Sequence, residues 1–197
     1  MNTRENTITS ANADSAENPV SPDDILLRRI ANGDKDAFMQ LYEDYADRLF
    51  VFCNRMMKDR DQAKDALQNA LVKIYERAEL YQDGSNAKAW IYRLTRNVCI
   101  DMLRADKNHE EIDETQLPAM EPRARDVALQ EALTSEIEAL PEIYREAVVL
   151  RDVQGHSYKE IAEIVEAPLS TVKFRIFKAR DILRDRLTVY FRNDMDG

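Results

Sequence analysis

The sequence is poor in the residues that build disulfide-bonded, glycine-rich or metal-binding proteins. It has 197 residues, of which two are cysteine, two are histidine and four are glycine. Cys53 and Cys99 lie far apart in the chain without a Cys-x-x-Cys pair, so we expect reduced, buried thiols. His109 and His156 have no partners at metal-ligand spacing, and there is no glycine-rich phosphate loop or evident triad. We therefore expect no metal, no cofactor and no enzymatic activity.

Long apolar runs are absent as well. No stretch approaches the roughly 18–20 apolar residues that span a bilayer. The N-terminus, MNTRENTITSANADSAENP, lacks the apolar core of a signal peptide. We expect a cytoplasmic protein without membrane insertion. Residues 1–20 are polar and aperiodic, which predicts a disordered tail.

The composition favours helices, and the distribution of net charge divides the chain into segments. Hydrophobic residues make up 44% of the sequence and charged residues 33%. The net charge is −9, but the acidic excess is concentrated before and between two apolar, periodic blocks that are near neutral. This pattern predicts an all-α protein with an N-terminal helical bundle (21–104), an acidic flexible linker (105–125), a C-terminal helix-turn-helix domain (126–190) and a tail (191–197).

The N-terminal block should hold one short helix and three long ones. Ser21-Pro22-Asp23-Asp24 is a typical helix start, with a capping serine, proline in the first turn and acids near the helix N-terminus. In the fourth helix, the spacing of Trp90 with Ile91 and Leu94 predicts a core tryptophan. The second helix has a longer buried stripe, predicted at Phe38, Leu41, Tyr42, Tyr45, Leu49, Phe52, Cys53 and Met56.

The C-terminal block ends in a helix-turn-helix pattern over Ser157–Arg186. From Ser170 to Leu187 six basic residues stand against two acids, which predicts a polyanionic ligand. Such a helix could also lie on a solvated face or bind an acidic protein, but the helix-turn-helix spacing favours DNA. Glu166 occupies the turn position where glycine commonly supplies a positive φ, at a cost of about 1 kcal/mol. The predicted DNA contacts on this helix are Ser170, Thr171, Lys173, Phe174, Arg175, Phe177, Lys178 and Arg180.

In order and spacing, five stretches resemble the bacterial RNA polymerase sigma factors of the extracytoplasmic-function (ECF) type. They are GDKDAFMQLYEDYADRLF, DALQNALVKIYERA, AKAWIYRLTRNVCIDMLR, LPEIYREAVVLRDVQGHSYKEIAEI and STVKFRIFKAR. The resemblance implies a sigma region 2 bundle and a sigma region 4 helix-turn-helix domain. It also implies promoter recognition, melting of the −10 element and initiation of transcription, for a stress or envelope regulon.

The resemblance assigns further roles to residues of the first block. Docking on the β′ clamp helices of core polymerase is implied for Asp65, Leu67, Gln68, Asn69 and Val72. The loop after the third helix and the start of the fourth would melt and read the −10 element. There, cations would hold the strand backbone and loop residues would meet unstacked bases. The implied −10 contacts are Tyr81, Asn86, Lys88, Arg93, Arg96 and Asn97.

The second block would then read the −35 element. The resemblance further implies contact with the polymerase β flap, an anti-sigma factor clasped between the two blocks, and an acidic linker that occupies the polymerase channels. The competing hypothesis is a stand-alone helix-turn-helix regulator whose N-terminal bundle dimerises or senses a ligand. Tight duplex binding by the isolated protein would favour that regulator, whereas dependence on core polymerase would favour the sigma factor.

Overall fold

The computed structural model describes residues 20–57, 59–82, 84–107 and 125–192, and in these every regular element is helical. The predicted tail at 1–20 and linker at 105–125 lie almost wholly outside the described residues, as does most of the tail at 191–197. No described helix is long and apolar enough to cross a membrane. The helices are α1 (Pro22–Ala31), α2 (Lys35–Met57), α3 (Arg60–Arg77), α4 (Ala87–Lys107), α5 (Arg125–Glu138), α6 (Glu142–Val148), α7 (Tyr158–Ile164) and α8 (Leu169–Arg192).

The first four helices form one unit, and α1 begins where the sequence predicts. The backbone N–H of Asp24 donates to the Ser21 hydroxyl at 3.2 Å, and the backbone N–H of Ser21 donates to the Asp24 carboxylate at 2.6 Å. This reciprocal capping box, followed by Pro22 in the first turn, fixes the helix start. Gly33 follows the helix with a φ of +81°, a left-handed conformation that favours glycine.

The core of the first unit lies between α2, α3 and α4. Trp90 is only 9% exposed, which confirms its predicted place in the core. Cys53 and Cys99 are buried free thiols whose sulfur atoms lie 3.8 Å apart, so residues distant in sequence are neighbours in the core. Their hydrogen bond, together with burial, raises the pKa of the Cys99 thiol. The prediction of a buried Tyr42 is wrong: its side chain is 44% exposed on the outer face of α2.

The second unit consists of α5 to α8. Five residues with π-type turns, Val149–Val153, follow α6 and carry the chain toward α7. α7 begins at a second capping box, formed by Ser157 and Glu160. The turn before α8 holds Glu166 at a φ of +51°, which confirms the predicted left-handed position. The core between these helices includes Leu150, Ile161, Ile164, Val165, Val172, Ile176 and Ala179.

Candidate nucleic-acid interface

The loop that precedes α4 is held against the first helix by a hydrogen bond from Tyr81. The Tyr81 hydroxyl donates to the Asp24 carboxylate and to the Ser85 carbonyl, the latter at 2.5 Å. Burial alone would raise the pKa of Asp24, but the hydrogen bonds from Tyr81 and Ser21 lower it. Tyr81 is 9% exposed, and its ring packs edge-on against Trp90. In this conformation the ring therefore anchors the loop and offers no open face to a base.

A cavity of about 320 Å³, lined by both polar and apolar side chains, opens between this loop and the start of α4. Asn86 caps the helix, since its side-chain oxygen accepts a hydrogen bond from the Ala89 backbone N–H at 3.1 Å. The lining includes the side chains of an amide, a cation, a carboxylate and a largely buried tryptophan, and its amide and cation suit recognition of the edge of an unstacked base. It consists of Gly84, Ser85, Asn86, Ala89, Trp90, Arg93 and, from the second unit, Glu163.

The basic side chains of α4 continue along the helix from this cavity. Lys88, Arg93 and Arg96 each lie within 4 Å of a carboxylate of the second unit. The pair of Arg96 with Glu146 is the most buried of these, with the Glu146 side chain 2% exposed. Burial raises the pKa of Glu146, and the hydrogen bond and charge of Arg96 oppose that rise.

A second polar cavity, of about 300 Å³, lies between α3 and α4 and shows cations that the sequence analysis did not select. Lys73, Arg77 and Arg104 join the predicted Arg96 and Asn97 in its lining. Lys73 is 3.7 Å from Asp101, which is also part of the lining. The four-residue step from Lys73 to Arg77 places both on one face of α3, and this spacing could have identified them.

An apolar groove of about 360 Å³ lies between α2 and α3, on another face of the first unit. Of the residues predicted to dock on polymerase, Leu67, Gln68 and Val72 line it, and Asp65 and Asn69 are exposed on the same helix. Sequence reasoning missed the contribution of α2, because it placed Phe38 and Tyr42 in the buried stripe. The complete lining is Phe38, Tyr42, Lys64, Leu67, Gln68, Leu71 and Val72.

The basic helix of the second unit exposes an aromatic and cationic face. Phe174 and Phe177 are 59% and 67% exposed, and Lys173 and Ser170 are also exposed. Val172 and Ile176 are buried on the opposite face of α8. Large exposed aromatics beside a cation are features of a surface that binds another molecule.

The other residues of α8 that are predicted to contact DNA are either paired with carboxylates or half-buried. Arg180 forms two hydrogen bonds with Asp152, at 3.0 and 2.5 Å. Lys178 lies 3.2 Å from Asp181. Thr171 and Arg175 are half-buried. Lys178 and Arg180 are therefore already oriented by carboxylates of their own unit, and a phosphate would have to compete with these carboxylates.

Two family models match the chain in sequence order. "Sigma-70 region 2" matches residues 41–109 and "Sigma-70, region 4" matches residues 130–183. The chain is 31% identical over 180 residues to the ECF RNA polymerase sigma-E factor of Haemophilus influenzae, covering 84% of this chain and 95% of the relative. It is 28% identical over 176 residues to the ECF RNA polymerase sigma factor SigW of Bacillus subtilis, covering 82% and 94%.

Two solved structures have similar folds. One is CnrH in complex with the cytosolic domain of CnrY, with a TM-score of 0.67, 23% identity, and coverage of 84% of this chain and 96% of that chain. The other is the sigma factor RpoE of Bartonella quintana in complex with the anti-sigma factor NepR. Its TM-score is 0.62 at 25% identity, covering 77% of this chain and 97% of that chain.

Proposed function

This chain belongs to the ECF group of RNA polymerase sigma factors, and from that premise we propose how its residues divide the work of initiation. The protein binds core RNA polymerase and directs promoter recognition and transcription initiation. Both units match sigma regions, and they do so in family order, which leaves no support for the competing hypothesis of a stand-alone regulator.

The start of α4 is proposed to melt and read the −10 element. The observation that carries this assignment is the cavity of about 320 Å³ beside Trp90, with Asn86 and Arg93 in its wall. A flipped base needs a pocket beside the strand, and the adjoining strand needs cations, which Lys88, Arg93 and Arg96 can supply. Asn97, hydrogen-bonded to Arg96 at 3.3 Å, is proposed to position that guanidinium. Tyr81 is proposed to hold the loop in place.

The exposed face of α8 is proposed to read the −35 element. Lys173 and Arg175 can reach base edges or phosphates in the major groove, and Phe174 and Phe177 can contact thymine methyl groups. Ser170 and Thr171, in the first turn of α8, would contact the phosphate backbone together with Lys178 and Arg180. Because the last two already pair with Asp181 and Asp152, their gain on binding DNA is smaller than that of Lys173.

The apolar groove between α2 and α3 is proposed to dock on the β′ clamp helices. A partner helix can lay an apolar face into a groove of this kind, and Val72, 49% exposed, and Tyr42, 44% exposed, present the accessible surface. Asp65, Leu67, Gln68 and Asn69 complete the α3 side. The second unit is proposed to contact the β flap, and the acidic segment 105–125 to occupy the polymerase channels.

Anti-sigma control is part of the proposal. The RpoE structure from Bartonella quintana is a complex with an anti-sigma factor. A partner inserted between the two units of this chain would block docking and DNA binding together, and an envelope or stress signal would release it. We further propose that the protein acts in the cytoplasm, as a transcription initiation factor without catalytic activity of its own.

Run-off transcription with core polymerase, followed by mapping of transcript 5′ ends, tests the proposed function. We expect transcripts that start a fixed distance downstream of shared −10 and −35 sequences, and only when both core and this protein are present. Tight, sequence-specific duplex binding by the protein alone, without stimulation of core polymerase, would contradict the proposal.

A further inference from the structure

Arg180 on α8 is paired with a carboxylate that comes from a different element of the second unit. The Arg180 Nε donates to one oxygen of Asp152 at 3.0 Å, and its Nη2 donates to the other oxygen at 2.5 Å. Asp152 lies in the segment of π-type turns that follows α6, 28 positions before Arg180. The pair is therefore bidentate, and its two hydrogen bonds together fix the plane of the guanidinium.

Two other cations of α8 are held in a different way. Lys178 and Arg184 both pair with Asp181, three positions away on the same helix. Partly exposed pairs within one helix contribute little and hold their members loosely. A bidentate pair between arginine and a carboxylate has a defined geometry, because two parallel hydrogen bonds must form together. This contrast distinguishes Arg180 from its neighbours on the helix.

The pair of Arg180 with Asp152 is supported by a tyrosine of α7. The hydrogen bonds with Asp152 raise the pKa of Arg180, and Tyr158 adds to the rise while burial opposes it. The guanidinium carbon of Arg151 lies 4.8 Å from the centroid of the Tyr158 ring. Arg151 also donates to the His156 carbonyl at 2.7 Å. Arg180 is therefore held by side chains that are themselves packed together.

Arg180 lies on the face of α8 that is proposed to meet DNA. Lys173, Phe177 and Arg180 follow one another at four- and three-residue steps and so share one face of the helix. The Arg180 side chain is 51% exposed. Asp152 occupies the guanidinium edge formed by Nε and Nη2, whereas a second acceptor can use the edge formed by Nη1 and Nη2. A phosphate therefore competes with Asp152 for the charge of Arg180 but not for the same edge.

The position of Arg180 along α8 favours a phosphate over a base edge. In helix-turn-helix proteins the N-terminal residues of the second helix contact the bases. Arg180 lies two turns beyond Lys173, which is about 10 Å along the helix axis. At that distance the side chain reaches the strand backbone that borders the groove. Two oxygens of one phosphate match the two donors of the outer guanidinium edge.

We propose that Asp152 is a positioning residue for −35 recognition, which holds Arg180 so that its outer edge binds one phosphate of the −35 element. This inference rests on the proposed function, because it assumes that α8 reads that element. Asp152 itself does not contact DNA, and its charge lowers the net attraction between α8 and the strand. Its contribution is geometric: an arginine that is already ordered loses less side-chain entropy on binding, and the phosphate contact sets the register of the helix.

The test changes the partner of Arg180 in the full-length chain. Asp152→Asn removes the charge and one acceptor oxygen without changing the size of the side chain. The matched control is Asp185→Asn, which removes the same charge from a 73% exposed carboxylate of α8 that lies beside Arg184. Asp152→Glu keeps a carboxylate, and Arg180→Ala removes the proposed contact itself.

The readout is the contribution of single phosphates in the assembled holoenzyme. Each variant is combined with core polymerase, and fluorescence anisotropy measures its affinity for a labelled promoter fragment at constant salt concentration. Each fragment carries one uncharged methylphosphonate in place of one phosphate of the mapped −35 element. The phosphate bound by Arg180 is the one whose replacement weakens binding by wild type but not by Arg180→Ala.

At that phosphate we expect the methylphosphonate to weaken binding by wild type and by Asp185→Asn about 10-fold, as the loss of a hydrogen bond between charged groups does. For Asp152→Asn the factor should fall to about 3-fold or less, as for an exposed pair without fixed geometry. Asp152→Glu should recover most of the wild-type factor. A general loss of stability would weaken binding to all fragments equally and would leave this factor unchanged.

The outcomes separate this inference from the proposed function. If Asp152→Asn keeps the wild-type factor, or if Asp185→Asn falls equally, Asp152 does not position Arg180 and only this inference is wrong. If no methylphosphonate distinguishes wild type from Arg180→Ala, the positioning is overturned as well. In that case the −35 face of α8 stands if Lys173→Ala still weakens promoter binding. If Lys173→Ala also has no effect, the proposed −35 assignment is wrong and the positioning falls with it.

Discussion

Tyr81, in the loop that precedes α4, donates its hydroxyl to Asp24 in the first turn of α1. Asp24 is 3% exposed and is also held by Ser21, so the short first helix and the proposed −10 loop share one buried polar cluster. The position of the loop therefore depends on the fold of the whole first unit.

Tyr81→Phe tests this coupling. The change removes both hydrogen bonds of the hydroxyl and leaves the buried Asp24 carboxylate with fewer donors, which should cost about 1–3 kcal/mol in the free energy of unfolding. Urea denaturation measures the loss. Tyr42→Phe, on an exposed tyrosine of α2, should change stability by less than about 0.5 kcal/mol. Equal effects of the two substitutions would show that the cluster contributes nothing.

His156 predicts an acid-sensitive stability. Burial, with Lys88 and Arg48 nearby, lowers the pKa of His156 from its usual value of 6.5 to about 4, while Glu160 opposes the shift. Between these two pH values the unfolded chain binds a proton that the folded protein does not. The free energy of unfolding should therefore fall as the pH drops from 6.5 to about 4, by an amount on the order of 3 kcal/mol.

Urea denaturation at several pH values, on wild type and His156→Leu, isolates that contribution. Both ring nitrogens of His156 lack hydrogen-bond partners among the described residues, so leucine leaves no polar group behind. The variant should lose stability less steeply between pH 6.5 and 4, and the carboxylates common to both proteins cancel in the comparison. Parallel curves for the two proteins would contradict the prediction.

Glu166→Gly should stabilise the second unit. Glycine relieves the left-handed strain at a φ of +51°, a gain of about 0.5–1 kcal/mol, which exceeds the small contribution of the exposed pair with Arg93. Glu163→Gly is the matched control, because it places glycine inside α7 and should destabilise by up to about 1 kcal/mol. Thermal denaturation measures the change in Tm of each variant. Changes of the same sign in Glu166→Gly and Glu163→Gly would refute the assignment of strain to Glu166.

Lys173→Ala and Phe177→Ala should weaken −35 recognition without affecting assembly. Both side chains are exposed on α8, so their loss should alter stability by less than about 0.5 kcal/mol. In run-off assays each should lower transcription from a promoter that has a −35 element, while co-purification with core polymerase stays at the wild-type level. Val153→Ala, at another exposed residue of the second unit, serves as control. A parallel fall in core binding would argue against a separate −35 face.

Periodicity predicted most of the fold, because each helix has a local signal. The capped start at Ser21, the buried Trp90 and the positive φ at Glu166 all follow from residues within a few positions of one another. The sequence placed Tyr42 in the core, and this was wrong. A three- and four-residue repeat shows which residues share one face of a helix, but it does not separate buried positions from positions at the edge of a surface groove.

Contacts between distant segments could not be predicted in this way. Tyr81 was predicted to contact the −10 element from its loop, and nothing near it in the sequence indicates that it is buried, because its partner Asp24 lies 57 positions away. Glu163 has the sequence pattern of a solvated helix face, yet it meets Asn86 across 77 positions. Such pairs depend on how whole helices pack, and no short-range spacing in the sequence records them.

The most direct test of the central claim compares melting with docking in the same holoenzyme preparations. Permanganate reactivity of −10 thymines reports melting, and co-purification with core polymerase reports docking. We predict that Arg93→Ala loses at least most of the permanganate signal but keeps core binding, whereas Val72→Asp, which puts a charge into the α2–α3 groove, loses core binding. Wild-type permanganate reactivity in Arg93→Ala, or equal loss of core binding by both variants, would contradict the division of labour between the two faces.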